Sequence, residues 1–93
     1  MLLSCKLFHI YLPMAQSLKS KRSILSALKR RLKNNFNISV AEVDNQNVWK
    51  NSTIAVSMVS GDKKYLEKQF SKVNKFIKNN FYELEIIKIE DYF

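Results

Sequence analysis

The sequence has little of what most catalytic and cofactor sites are built from. Its 93 residues include one cysteine (Cys5), one histidine (His9), one glycine (Gly61) and one proline (Pro13). A single cysteine excludes an internal disulfide and any cysteine-based zinc site. A single histidine leaves no cluster to hold a metal. Glycine-rich phosphate loops need at least two glycines and are excluded too. No stretch approaches the ~20 apolar residues of a membrane-spanning helix. The start, Met1 to Cys5, has the cysteine of a lipoprotein box, but no basic segment or hydrophobic run precedes it. The expectation is a cytoplasmic protein in a reducing compartment, without cofactor and without membrane attachment. The length allows one domain over 1–93, burying roughly 60–65% of the unfolded surface. It leaves no room for separate cofactor and substrate domains.

Positive charge is in excess. Lys and Arg number 16 against 8 Asp and Glu, giving +8 at neutral pH and a pI near 9.8. The hydrophobic share of 46% and charged share of 26% suit a folded domain and not a disordered chain.

Periodicity orders the chain. Residues 2–12 are apolar and aromatic, stop at Pro13, and predict a central strand. Leu2, Phe8, Ile10 and Leu12 share its core parity, with Lys6 as the exception. Ser17 reads as an N-cap for a helix over 17–34, with Leu18, Leu25, Leu28 and Leu32 as its stripe. Residues 36–44 and 53–60 alternate and predict an antiparallel pair joined by a polar hairpin from Asn45 to Ser52. Leu66, Phe70, Val73 and Ile77 mark a second helix over 62–80, begun by Asp62. A charged last strand over 83–90 suits a sheet edge. The order β-α-β-β-α-β predicts an α+β, ferredoxin-like fold: a four-stranded antiparallel sheet with both helices on one face.

The charge is segregated. The first helix holds Lys19, Lys21, Arg22, Lys29, Arg30, Arg31 and Lys33, and no acid. The second holds six lysines against Asp62 and Glu67, and the remainder is net acidic. Like charges three and four residues apart weaken an isolated helix, and cations in its first turn oppose the dipole. Two readings follow. Lys19, Lys21, Arg22, Lys29, Arg30 and Lys33, with Lys50 of the hairpin, face nucleic-acid phosphates or another anion. Alternatively, the face is merely solvated and its first-turn cations pair with Glu42 and Asp44.

Three spaced segments carry a family resemblance: Leu12-Pro13, Gln16-Ser17-Leu18-Lys19 with Lys21-Arg22, and Ser39 to Asp44 with Gln46 and Trp49. In these the chain resembles the YlxP-like bacterial family, a domain of unknown function. The resemblance spans essentially the whole chain and implies a ferredoxin-like α/β fold and a small cytoplasmic protein. Genes of that family often neighbour those of translation initiation factor 2 and ribosome-binding factor A, so the resemblance implies an RNA or ribosome setting. It supplies no catalytic residue.

The remaining candidates are weighed on chemistry. Glu42 and Asp44, two apart on a strand, are expected on one face roughly 7 Å apart. They pair with Lys21 or Arg22, or hold a hard cation, for which two carboxylates are a thin ligand set. Trp49 stacks on a base or anchors a partner, or else folds over the sheet end as a lid. Cys5 and His9 lie roughly 13 Å apart along a strand and form no dyad. The third strand offers no aromatics, so the base-stacking sheet of an RNA-recognition motif is excluded. The small residues Ser39, Ala41, Ala55 and Ser57 permit close packing on the open face. The expected function is therefore non-enzymatic: an RNA-binding or ribosome-associated module acting through the first helix, with RNA or a ribosomal subunit as partner. The alternative is a protein-interaction or homodimeric scaffold using the open sheet face and the Trp49 hairpin. An enzyme acting on phosphorylated ligands through Glu42 and Asp44 ranks last.

Overall fold

In the computed structural model, which describes residues 1–92, the elements run β1 (Leu2–Tyr11), α1 (Leu18–Asn35), β2 (Ser39–Asp44), β3 (Asn51–Ser60), α2 (Lys63–Asn80) and β4 (Glu85–Asp91). The four strands form one antiparallel sheet in the order β2-β3-β1-β4. Each βαβ half crosses over one strand, so α1 and α2 lie on the same face. This is the ferredoxin-like arrangement that the periodicity predicts.

Alternation places Phe8, Ile10, Ile54, Val56 and Met58 on the helix side, where they are buried. They meet Leu25, Leu28 and Leu32 of α1 and Leu66, Phe70, Val73 and Ile77 of α2 in a single core. Each such side chain, fully buried, contributes roughly 1.5–3 kcal/mol relative to exposure. Lys6 keeps the core parity of β1 without burying its charge. Its ammonium sits 5.2 Å from the centre of the Phe70 ring and pairs with Asp91 at the sheet margin. The aliphatic stem thus covers apolar surface while the head stays wet.

The helices begin on side-chain caps. The Ser17 hydroxyl accepts the Ser20 N–H at 3.1 Å, and the Asp62 carboxylate accepts the Lys64 N–H at 3.0 Å. They end on the same tetrapeptide, Lys33-Asn34-Asn35-Phe36 and Lys78-Asn79-Asn80-Phe81. In each, the second asparagine donates back to a carbonyl one turn earlier, Asn35 to Arg31 and Asn80 to Phe76. The phenylalanine N–H then closes the last turn, and its extended backbone ends the helix. Arg31 ties the two ends together. It donates to the Asn80 side chain at 3.1 Å, and its guanidinium lies over Phe76 and Phe81.

The strand pairing departs from regular alternation twice. The β1–β3 ladder is unbroken from Leu2↔Ser60 to Tyr11↔Asn51. The β2–β3 ladder skips Val43, and the β1–β4 ladder skips Ile87. Each skip is a β-bulge, which reverses the facing of the residues beyond it.

Candidate functional site

The leucines of α1 recur at 18, 25, 28 and 32, and the position that completes their line is 21. Lys21 therefore points into the protein and is only 1% exposed. A buried ammonium needs a partner for each of its three N–H donors. Lys21 has three: the Asn45 carbonyl, the Val48 carbonyl at 2.6 Å and the Glu42 carboxylate at 2.9 Å. The same Glu42 oxygen also accepts the buried Ser52 hydroxyl at 2.6 Å. This corrects the expectation that Lys21 belongs to an anion-binding surface. The apolar line of α1, not its polar face, contains it. Its charge opposes the α1 dipole but is answered by Glu42, the pairing anticipated for a first-turn cation.

Regular alternation puts Glu42 on the helix side with Val40, and the bulge at Val43 just after it corrects a second expectation. Glu42 pairs with Ile54 on the helix side of the sheet, whereas Asp44 pairs with Thr53 on the open side. The two carboxylates therefore do not share a face and cannot act on one ligand. Asp44 instead accepts the Asn45 N–H at 2.8 Å. Asn45 takes the left-handed conformation, φ 62°, which asparagine tolerates better than most residues.

From Asn45 the connection to β3 is a pinned loop. The Val48 N–H closes a turn onto the Asn45 carbonyl at 3.1 Å. The Leu12 N–H donates to the Lys50 carbonyl at 2.7 Å, and the Lys50 ammonium donates to the Pro13 carbonyl at 2.8 Å. The loop is thus bound to the first turn of α1 and to the β1–α1 connection. Trp49 sits between these anchors and is 49% exposed.

A second polar chain crosses the open face. The Asn45 amide donates to Thr53 Oγ1 at 3.4 Å, Thr53 meets His9 Nδ1 at 3.3 Å, and His9 Nε2 meets Glu90 at 2.8 Å. The hydrogen bond from His9, then the nearby Lys88 ammonium, hold the Glu90 carboxyl below its ordinary range. A hydroxyl, an imidazole and a carboxylate in this order are the parts of a hydrolytic triad. Thr53, however, is 3% exposed, so its hydroxyl is out of reach of a substrate. The chain is a strut joining the 45–50 loop to β3, β1 and β4. Cys5, on the same face, is buried, and burial pushes its thiol pKa up, away from the reactive thiolate.

A family model described as "Protein of unknown function (DUF503)" matches residues 3–91. The chain belongs to that family. It is also 35% identical to the uncharacterized protein YlxP of Bacillus subtilis over 71 residues, 76% of each chain. The lock formed by Lys21, Glu42, Asn45 and Ser52 lies inside the span this DUF503 chain shares with its family.

The other cations of α1 stay in solvent. Lys19, Arg22, Arg30 and Lys33 are exposed and Lys29 is half-buried. Helical spacing puts these five on one flank. Arg31, which reaches the end of α2, lies on the opposite flank. Among the described residues the basic side chains within pairing distance of an acid are Lys6, His9 and Lys21, so none of the five is paired with an acid. No helix of the described residues is long and apolar enough to cross a membrane.

Proposed function

We propose that the protein is a non-enzymatic RNA-binding module, acting in the cytoplasm on RNA or a ribosomal subunit. The observation that supports this is the unpaired cationic flank formed by Lys19, Arg22, Lys29, Arg30 and Lys33. Side chains three and four residues apart repel one another there, and polyanion phosphates would relieve that repulsion while releasing counterions. Contacts of this kind fix position on a strand without reading its sequence.

A salt titration tests it. Five neutralised phosphates on a duplex-like RNA give a slope of log K against log salt of roughly −4 to −5. Binding to ribosomal subunits and to an unrelated RNA duplex should be measured in parallel. Salt-sensitive binding that is stronger for a subunit supports a role in translation. Binding without salt dependence removes the reading.

One observation favours a second reading, a homodimer through the open sheet face. Leu3 and Val59 are direct cross-strand neighbours on that face, and both are more than half exposed. The small Ala41 and Ala55, also paired, lie farther along it. Sedimentation should then show a mass that doubles with concentration, and Val59→Lys should hold the protein monomeric. A monomer at every concentration excludes this reading.

A further inference from the structure

The 45–50 loop is longer and more firmly held than a connection between adjacent antiparallel strands requires. Two residues suffice for such a turn, yet six separate Asp44 from Asn51 here. The fold buries an ammonium, a carboxylate and a hydroxyl beneath it. A buried charge group of this kind costs desolvation that a hydrophobic cluster would not. The loop held in this way exposes the apolar side chains of Val48 and Trp49, and Met14 is exposed in the β1–α1 connection to which Lys50 is bound. A rigid loop that displays an indole is arranged to receive something flat and apolar.

The surroundings point to which flat group. Lys21 joins the loop to the first turn of α1, and the exposed Lys19 and Arg22 belong to that same turn. From there the unpaired cations continue to Lys33, about 21 Å of helix at 1.5 Å per residue. An aromatic platform at one end of a cationic track is the pairing that single-stranded nucleic acid demands. The track holds the backbone, and the ring stacks on a base that is free of a partner strand. A duplex offers phosphates to the same track but hides its base faces.

We infer that Trp49 is a stacking platform for an unpaired base of single-stranded RNA whose phosphates lie along the Lys19–Lys33 flank of α1. The inference rests on the RNA-binding reading above and adds the class of RNA and the residue that selects it. Lys21 is a positioning residue here: it touches no RNA and holds the carbonyls that set the Trp49 backbone.

Trp49 is the protein's single tryptophan, so its emission reports on this site alone. The probes are an oligouridylate of about 12 nucleotides, within the roughly 4–16 that single-strand sites span, and an RNA duplex of equal length. Emission should be quenched at saturation by the oligouridylate and not by the duplex. By anisotropy, Trp49→Leu should weaken oligouridylate binding roughly 5- to 150-fold and leave duplex binding unchanged. Trp49→Phe, which keeps a ring, should restore most of the affinity. Trp49 is half exposed, so the far-ultraviolet circular dichroism of both variants should match the parent. Oligouridylate binding with no change in emission, or equal affinity of Trp49→Leu, overturns the stacking while the phosphate-binding flank stands. Failure of the parent protein to bind oligouridylate, duplex and ribosomal subunit overturns both.

Discussion

Replacing Lys21 by methionine is expected to destabilise the protein by about 3–5 kcal/mol. Domains of this size have only about 5–15 kcal/mol in total, so the variant should be close to unfolding at ordinary temperature. Methionine matches the lysine stem in length and hydrophobicity, so the buried space that the stem fills stays filled and the loss isolates the ammonium. Three groups lose one donor each: the Glu42 carboxylate, the Val48 carbonyl and the Asn45 carbonyl. Glu42 is the costly one. Its side chain is only 16% exposed and would retain a single donor, the Ser52 hydroxyl. The double variant Lys21→Met, Glu42→Leu removes the stranded charge and should recover most of the loss, because an apolar replacement of a buried ion pair is often neutral or better. Denaturant unfolding followed by circular dichroism measures both. A single-variant loss under about 1 kcal/mol, the range of exposed ion pairs, would mean that water screens the pair and that the loop is not locked.

Residue types show why this lock was hard to read in the sequence while the fold was not. Ile54, Val56 and Met58 alternate with small or polar neighbours, and the parity of one strand decides which side of the sheet is buried. Leu66, Phe70, Val73 and Ile77 do the same at helical spacing, and all four are buried. Patterns of that kind survive because many residues agree on them. The site depends on single residues. Val43 is a valine in an alternating run, and nothing local marks it as the residue the ladder skips. Alternation with Val40 already points Glu42 toward α1, but that skip turns Asp44 away from it. Lys21 reads as surface by type, since lysine is almost never fully buried without a partner. One signal was present. The leucine stripe of α1 jumps seven residues from Leu18 to Leu25, and the gap on that line is Lys21. A cation on a core line implies a carboxylate opposite it, and Glu42 was among the few acids outside the second helix and the last strand. The open-face strut was out of reach for a different reason. It joins His9, Thr53 and Glu90 over sequence separations of 44 and 81 residues, which only the assembled sheet brings together.

The five solvent-facing cations of α1 make the RNA reading quantitative, and reversing two of them gives its largest expected effect. At about 0.1 M salt each neutralised phosphate adds roughly 0.9 to log K relative to 1 M salt. Losing the contacts of Arg22 and Arg30 should then weaken duplex RNA binding about 60-fold and flatten the salt slope by about 2. Arg22→Glu, Arg30→Glu adds repulsion, so 60-fold is the lower bound. Stability should change little. Both side chains are exposed, and an acid near the start of α1 suits the helix dipole better than a cation does. The matching control is Lys68→Glu, Lys75→Glu on α2. Both positions are exposed, and the net charge changes by the same amount. If the α1 flank is where phosphates sit, the α2 variant should keep the slope and lose affinity only through the long-range field, an effect that fades within a Debye length of about 8–10 Å near physiological salt. Equal losses in the two variants would mean that the protein attracts RNA by overall charge alone. The geometry separates the two cases because Arg31, the one α1 cation turned toward α2, is already engaged with Asn80, Phe76 and Phe81. The cations left free on α1 all face away from α2, so a contact surface built from them is one-sided, and a reversal on the other helix cannot reproduce its loss.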